Sequence, residues 1–508
     1  MSAIKKLASQ TAIYGLSSIV GRFINYLLVF FHTRVLTNQA DFGVVGEIYA
    51  YVTFINIIYL FGMETAYFRF SSKNPEERSE YYSSSFTAIL GVTILFSGLL
   101  IALAPYLNNL LITDAKAQSY YKVEYIIWFA LIMGFDAITA IPFARLRQEN
   151  RPIKFVSIKI FNILVNVFLN VFFLLFCPFW IEIHPESWLI AIYDPSNNVA
   201  YIFISNLVAS GLTILFLYRE LIGIQLKIKW AILKPMLVYG FPLLFAGLAG
   251  MMNETFGRIM LKYLLPGSVE ENLAQLGIYN AAYKLSIFMT LAIQAFRMAA
   301  EPFFFSLSKQ EESRLIYARV MTYFVIVCAV IFLGVSLNLN IAGLYIGKNY
   351  REGLFVVPSL LMANLFLGVY YNLSIWYKLA DKTIYSIYFT IFGALVTVVF
   401  NILWIPTFGY EGSSWATLVC YILMAFVCYL IGQRYYKVPY NMIKFVGYLI
   451  FALMLYTVGY YMCLHLYNPN TYLGFLYTNL LIVIFIAVAY LIERKTFKPK
   501  HVENSNHQ

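Results

Sequence analysis

The sequence predicts an all-α polytopic membrane protein of about 14 transmembrane helices, arranged as two pseudo-symmetric six-helix lobes plus a C-terminal helix pair. Three observations predict it. The 508 residues are 61% hydrophobic and only 12% charged, with a mean hydropathy of +0.71, far from the composition of a soluble domain. Apolar windows of about 20 residues, each long enough to cross a bilayer, recur along the whole chain. Lysine and arginine gather in every second connecting segment, as cytoplasmic loops require.

In chain order the windows are Thr11–Phe31, Gly43–Glu64, Ser83–Pro105, Lys122–Pro142, Val156–Cys177, Val199–Tyr218, Met236–Thr255, Leu273–Arg297, Ile316–Asn338, Leu354–Trp376, Tyr385–Ile405, Ser413–Gly432, Ile443–Cys463 and Tyr472–Ile492. Two lysines precede the first window, and no small-residue cleavage site follows it, so it reads as an uncleaved helix. With the N-terminus inside, about 25 basic residues fall in inner segments and about 7 in outer ones. Four more, Arg22, Lys159, Lys284 and Arg297, sit within or at the end of spans, which completes the 36 of the chain. An even span number places both termini on the cytoplasmic side. The formal charge of +11 is thereby a topology signal and not a nucleic-acid footprint.

The connections add detail. The outer segment Pro178–Asn198 carries Trp180, Trp188, Glu182, Glu186 and Asp194 but no Lys or Arg; it suits either an interfacial segment or a plain connector. Arg219–Lys234 alternates Ile and Leu with Lys227, Lys229 and Trp230, the pattern of an amphipathic piece on the inner leaflet. The pairs Phe42–Gly43 and Leu276–Gly277 open spans two and eight, followed at matching intervals by Tyr49 and Phe54 and by Tyr283 and Phe288; Tyr14–Gly15 and Tyr239–Gly240 match in spans one and seven. The expected organisation is an N-terminal lobe over 1–218, an amphipathic linker over 219–235, a second lobe over 236–432, an extra helix pair over 433–492 and a polar cytoplasmic tail over 493–508.

Charges inside the bilayer are the candidate site, because an ammonium at mid-depth costs about 2.5–3.5 kcal/mol on insertion scales. Lys284 lies near the middle of Gly277–Glu301, on a wheel face with Gly277, Asn280 and Gln294. Arg22 lies halfway along span one, in a polar stripe with Gly15, Ser18, Asn25 and Tyr26. Span seven puts Gly240, Gly247, Glu254 and Arg258 on one face; Glu254 and Arg258 fit a helical ion pair and ligand binding equally. Arg22, Lys284 and Arg258 are the expected cavity cations, with Glu47, Glu254, Asn25 and Asn280 as cavity or coupling residues. Glu64, Arg69, Arg297 and Glu301 are candidates for a cytoplasmic gate, the last two also fitting a local pair. Asp136 and Lys159 are expected to form a structural ion pair. Such cations suit a phosphate or pyrophosphate, which replaces the water they lose. The five cysteines and five histidines show no ligand spacing, so neither disulfides nor a metal site is expected. No nucleotide-binding loop or catalytic constellation appears, so no enzyme is expected and no cofactor beyond a proton or sodium gradient.

The opening Lys5, Lys6, Tyr14, Gly15 and Arg22, then Arg34–Val35–Leu36 leading to Phe42–Gly43, and the run from Gly62 to Phe70 closing span two resemble bacterial polysaccharide flippases of the multidrug, oligosaccharidyl-lipid and polysaccharide exporter superfamily. The resemblance implies a cavity between two lobes that carries a polyprenyl-pyrophosphate oligosaccharide, an anionic lipid-linked glycan, from the inner to the outer leaflet of the bacterial cytoplasmic membrane. It also implies membrane lipids and the polysaccharide polymerase machinery as partners, with nothing requiring more than a monomer. Peptidoglycan-precursor flippases share the fourteen helices, with a lipid-tail groove at the last pair. Drug or cation antiporters lack that pair, and a membrane glycan polymerase or ligase is the reading from a different class.

Overall fold

The computed structural model describes residues 21, 23–24, 26–307, 313–465 and 471–497, and among them there is no β-strand. Among the described residues eleven helices are long and apolar enough to cross a membrane, twelve with a bent pair counted as one span. One of the eleven, Ile384–Tyr435, has 52 residues and breaks at Gly409, whose φ of 61° and ψ of −144° lie outside the helical region. Its two limbs fold back on each other: Cys420 Sγ donates to the Gly393 carbonyl at 3.3 Å, and the Tyr385 and Tyr435 hydroxyls meet at 2.8 Å. This single element therefore supplies the two windows expected at Tyr385–Ile405 and Ser413–Gly432. The first expected window, Thr11–Phe31, lies largely outside the described residues.

Helix α1 (26–35) leads through a short turn to α2 (Gln39–Leu60), capped by the Asn38 side chain, which accepts from Ala40 N–H at 3.0 Å. Phe61 and Gly62 then turn left-handed, with φ of 34° and 73°, and α3 (Met63–Lys73) restarts. In the second half, α4 (Trp230–Met251) continues through a π-turn, Met252–Phe256, into α5 (Gly257–Leu264). Next, α6 (Val269–Lys284) opens on a capping box of Ser268 and Glu271. The expected straight span Leu273–Arg297 does not occur: α6 ends at Lys284, and α7 (Ile287–Leu307) departs at 48°. The Ser286 hydroxyl and amide both turn back to the Tyr283 carbonyl, at 2.7 and 3.1 Å, and these short-range bonds replace the α-helical ladder there.

One end of the bundle gathers basic connections; there Glu220 pairs with Lys154 at 2.6 Å and Arg151 at 3.2 Å. From Ile222 to Lys229 the chain runs without helix, exposing Ile222, Leu226 and Ile228. At the opposite, far end, α2 crosses α6 backbone to backbone. A Cβ on Gly43 would overlap the Leu273 carbonyl, and one on Gly277 would overlap the Gln39 carbonyl. Small residues permit this approach. At the basic end, Gly62 and Gly240 make a second close crossing, where a Cβ on Gly62 would stand 2.6 Å from the Gly240 carbonyl oxygen. The last two helices, Met442–His465 and Tyr472–Phe497, pack on Ser313–Ser336, joined by Lys444 and Tyr448 on Glu493 at 2.7 and 2.8 Å.

Candidate functional site

Lys284 ends α6 at the bend, with its ammonium 5.4 Å from the centre of the Tyr26 ring on α1. Among the described residues no hydrogen-bond acceptor meets it. Arg258 on α5 stands 4.6 Å over the ring of Tyr283, the residue before Lys284. It donates to the Glu254 carbonyl at 3.4 Å, and its Nε is buried without a partner. Glu254 and Arg258 act electrostatically on Lys284, so the bend of one span and the π-turn of another bring these three charges into one neighbourhood. Two cations there outnumber the one carboxylate, a balance that favours an anion. Arg22 and Asn25 lie outside the described residues.

Glu254 forms no direct ion pair with Arg258. The π-turn inserts an extra residue between straight helical segments, so a wheel drawn for an unbroken helix fails across it. Its side chain instead lines a cavity of about 230 Å³ with Arg297, Lys378, Tyr370, Tyr371 and Tyr421. Arg297 lies 4.1 Å over the Tyr371 ring; the Glu301 side chain lies outside the described residues. Asn280 is 3% exposed, pressed against Gly46 of α2, with neither amide atom hydrogen-bonded. It belongs to the α2–α6 crossing and not to an open cavity.

The expected Asp136–Lys159 ion pair is replaced, and Glu64 and Glu47 each take a partner that the sequence does not name. Glu64 pairs with Arg147 and not with Arg69, which lies 4.2 Å over the ring of Tyr239 across the two halves. Asp136 lies beside Ser210, and Lys159 places its ammonium 4.2 Å over the Phe143 ring; among the described residues they form no ion pair. Glu47 is fully buried, ion-paired at 3.1 Å with Lys262, whose side chain is 1% exposed. The Tyr121 hydroxyl donates to the same carboxylate, as does that of Tyr51 at 3.1 Å. Tyr51 also meets the Tyr263 hydroxyl at 2.9 Å, and Lys262 donates to the Leu111 carbonyl at 2.9 Å. Every polar atom of this cluster is partnered, which is what makes a buried charge pair tolerable.

Lys262 is the residue that sequence reasoning missed. It sits four residues after Arg258, the spacing of one helical face, yet it counted only as an outer-loop cation. Neighbouring far-end contacts also join the two halves. The Gly347 amide donates to Thr33 Oγ1 at 2.9 Å, and the Tyr350 hydroxyl to the Leu36 carbonyl at 2.7 Å. Asp114 Oδ2 accepts from the Val269 amide at 3.3 Å. Asp114 lies in a loop, and the Ala117 amide foremost holds its pKa below the usual carboxylate value.

This arrangement has known counterparts. A solved structure of the lipid II flippase MurJ in an inward closed conformation superposes with a TM-score of 0.73, covering 96% of this chain and 99% of that one at 12% identity. An inward-facing multidrug resistance MATE family transporter of the MOP superfamily gives 0.64, covering 85% and 98% at 13% identity. The bent form of the Vibrio cholerae MATE transporter VcmN gives 0.52 at 13% identity, covering 85% and 96%. The fold is thus that of multi-pass flippases and transporters. Residues 7–308 match the polysaccharide biosynthesis protein family, and the chain belongs to that family. No curated relative matches the sequence. The chain is thus a multi-pass membrane protein of the polysaccharide biosynthesis family with the fold of flippases and transporters.

Proposed function

We propose that this protein moves a polyprenyl-pyrophosphate-linked oligosaccharide from the cytoplasmic to the outer leaflet of the bacterial cytoplasmic membrane, by alternating access, to supply O-antigen, capsule or exopolysaccharide synthesis. The observation that carries this reading is Lys284. It is a lone ammonium at a helix break, with Arg258 beside it, and membership of the polysaccharide biosynthesis family supports a glycan cargo.

On this reading the lobes are 1–218 and 236–432, and they rock about a midplane site. The basic end faces the cytoplasm with both termini, and the far end is the outer face, closed by Glu47 and Lys262. Lys284, Arg258 and Arg22 receive the pyrophosphate, and the sugars follow through the polar space between the lobes. An apolar cavity of about 420 Å³, lined by residues including Phe366, Val369, Phe426, Phe445 and Leu449, supports a path for the polyprenyl tail beside the helix Met442–His465. The chain works as a monomer without a bound cofactor.

The test is mass spectrometry of lipids that co-purify from the native host, joined to a leaflet-translocation assay in liposomes. Wild-type protein carries a polyprenyl-pyrophosphate glycan and translocates it. Lys284→Ala loses both while keeping its melting temperature within a few degrees, as expected for removal of a charge without a hydrogen-bond partner. Normal translocation by Lys284→Ala would sink the site assignment. The likeness to the lipid II flippase over nearly the whole chain favours one second reading, a peptidoglycan-precursor carrier, and the glycan released in the same experiment decides between them.

A further inference from the structure

We propose that the far end holds a binding site for a phosphate-type anion, built jointly by the two halves and separate from the central cations. A cavity of about 380 Å³ is lined by Thr33, Arg34 and Thr37 from the first half and by Lys348, Asn349 and Arg351 from the second. Three cations line it and no carboxylate does.

Arg34 is fixed by carbonyls of both halves. Its Nη1 donates to Phe30 at 2.6 Å and Tyr345 at 3.2 Å, and its Nη2 to Leu344 at 2.6 Å, with the guanidinium carbon 3.6 Å over the Phe30 ring. These bonds leave Nε and one Nη2 hydrogen free. Arg351 makes no hydrogen bond among the described residues, and its Nε is buried without a partner. Lys348 is exposed beside it. Like charges sharing one cavity repel, and a buried guanidinium N–H without an acceptor costs free energy. A tetrahedral oxyanion corrects both at once, because its oxygens accept from guanidinium forks and an ammonium together.

Since Arg34 and Arg351 come from different halves, an anion bound between them favours the arrangement in which the far end is closed. The flanking bonds, Gly347 to Thr33 and Tyr350 to Leu36, hold the same seam. This site does not depend on which cargo crosses the membrane. Its anion comes either from solution or from the headgroup of an anionic lipid, and the chemistry is common to both.

The experiment is thermal unfolding of the full chain, first in neutral detergent with sodium phosphate titrated at constant ionic strength, then in nanodiscs of phosphatidylcholine with or without phosphatidylglycerol. Phosphate is expected to raise the melting temperature of the wild type, with a half-saturating concentration about tenfold or more higher in Arg351→Gln and in Lys348→Gln. Stabilisation by phosphatidylglycerol but not phosphate, again reduced in both variants, assigns the anion to a lipid headgroup. The response persists in Lys284→Ala, which separates this site from the central one. If neither probe distinguishes the wild type from Lys348→Gln, an exposed substitution that leaves folding intact, or if Lys284→Ala alone abolishes the response, the proposal is overturned.

Discussion

The two ends of the bundle join the halves by different physics. At the far end Glu47 and Lys262 are sealed from solvent, and neighbouring groups satisfy them. At the basic end the contacts between halves include the Gly62–Gly240 crossing, the exposed Arg69 over Tyr239, Phe70 edge-on to Tyr239 at 6.1 Å, the Ser85 hydroxyl on Met236 Sδ at 3.9 Å and, at the entry to α4, an exposed ion pair of Lys229 with Glu80. A buried pair is nearly all-or-none, since separating it strands two charges in a low-dielectric seam. An exposed cation over a ring parts and re-forms at little cost. The far end is therefore expected to act as a latch with two discrete states, and the basic end as a contact that slides.

The sharpest way to break this comparison is at the latch. Lys262→Ala leaves the Glu47 carboxylate buried without its partner and is expected to cost about 3–5 kcal/mol of stability, read as a large fall in thermal unfolding temperature. Glu47→Gln combined with Lys262→Met removes both charges and recovers most of that loss. Equal damage from the single and the double variant would show that packing, and not the charge pair, holds the far end.

Next in size is the backbone crossing beside the latch. Gly277→Ala places a methyl group into the Gln39 carbonyl, and the helices must separate. About 1–3 kcal/mol is expected, the usual cost of overpacking. Gly250→Ala, on α4 where an added Cβ meets nothing within 4 Å, is the matched control and is expected to be neutral.

These two predictions mark what was legible in the sequence. The helical, multi-pass fold follows from hydropathy and loop charge, which are local properties. The pair Gly43 and Gly277, noticed only as equivalent points of a repeat, proves to be where the two repeats touch. Lys284 was legible because a lone ammonium in an apolar run is costly wherever it points. Glu47 was visible but its partner was not, for Lys262 lies 215 residues away and nothing local to either residue names the other. Glu254, Asn280 and Gln294 were placed by wheels that assume straight helices, and the π-turn at Met252–Phe256 and the bend after Lys284 are set by packing. Arg69 and Glu64 were visible as charges, but their partners, Tyr239 and Arg147, lie far along the chain from them.

At the basic end, Arg69→Ala removes one exposed cation–π contact, and about 0.5–1 kcal/mol is expected. A cost comparable with that of Lys262→Ala would mean that both ends are latches. Translocation rate is the more informative readout: if the basic end slides, Arg69→Ala changes stability slightly and leaves the closed far end intact.

The smallest effect tests whether the far-end loops add to the latch through charge. Asp114 accepts from the Ala117 amide at 2.8 Å and from the Val269 amide at 3.3 Å; these bonds lower its pKa below the ordinary 3.8. A carboxyl with a depressed folded-state pKa contributes stability that is fully present above its unfolded value, and that contribution is lost as pH falls through the folded one. Asp114→Asn is therefore expected to lower the unfolding temperature slightly at pH 7 and equally at pH 5, with the difference from wild type closing only below the ordinary carboxylate range. Because Asp114 is only half-buried, high salt should shrink the difference as well, whereas Lys262→Ala should hardly respond to salt, its charges being sealed from the ions that screen. Equal salt sensitivity in the two variants would place the Glu47–Lys262 pair in contact with water and dissolve the contrast between the ends.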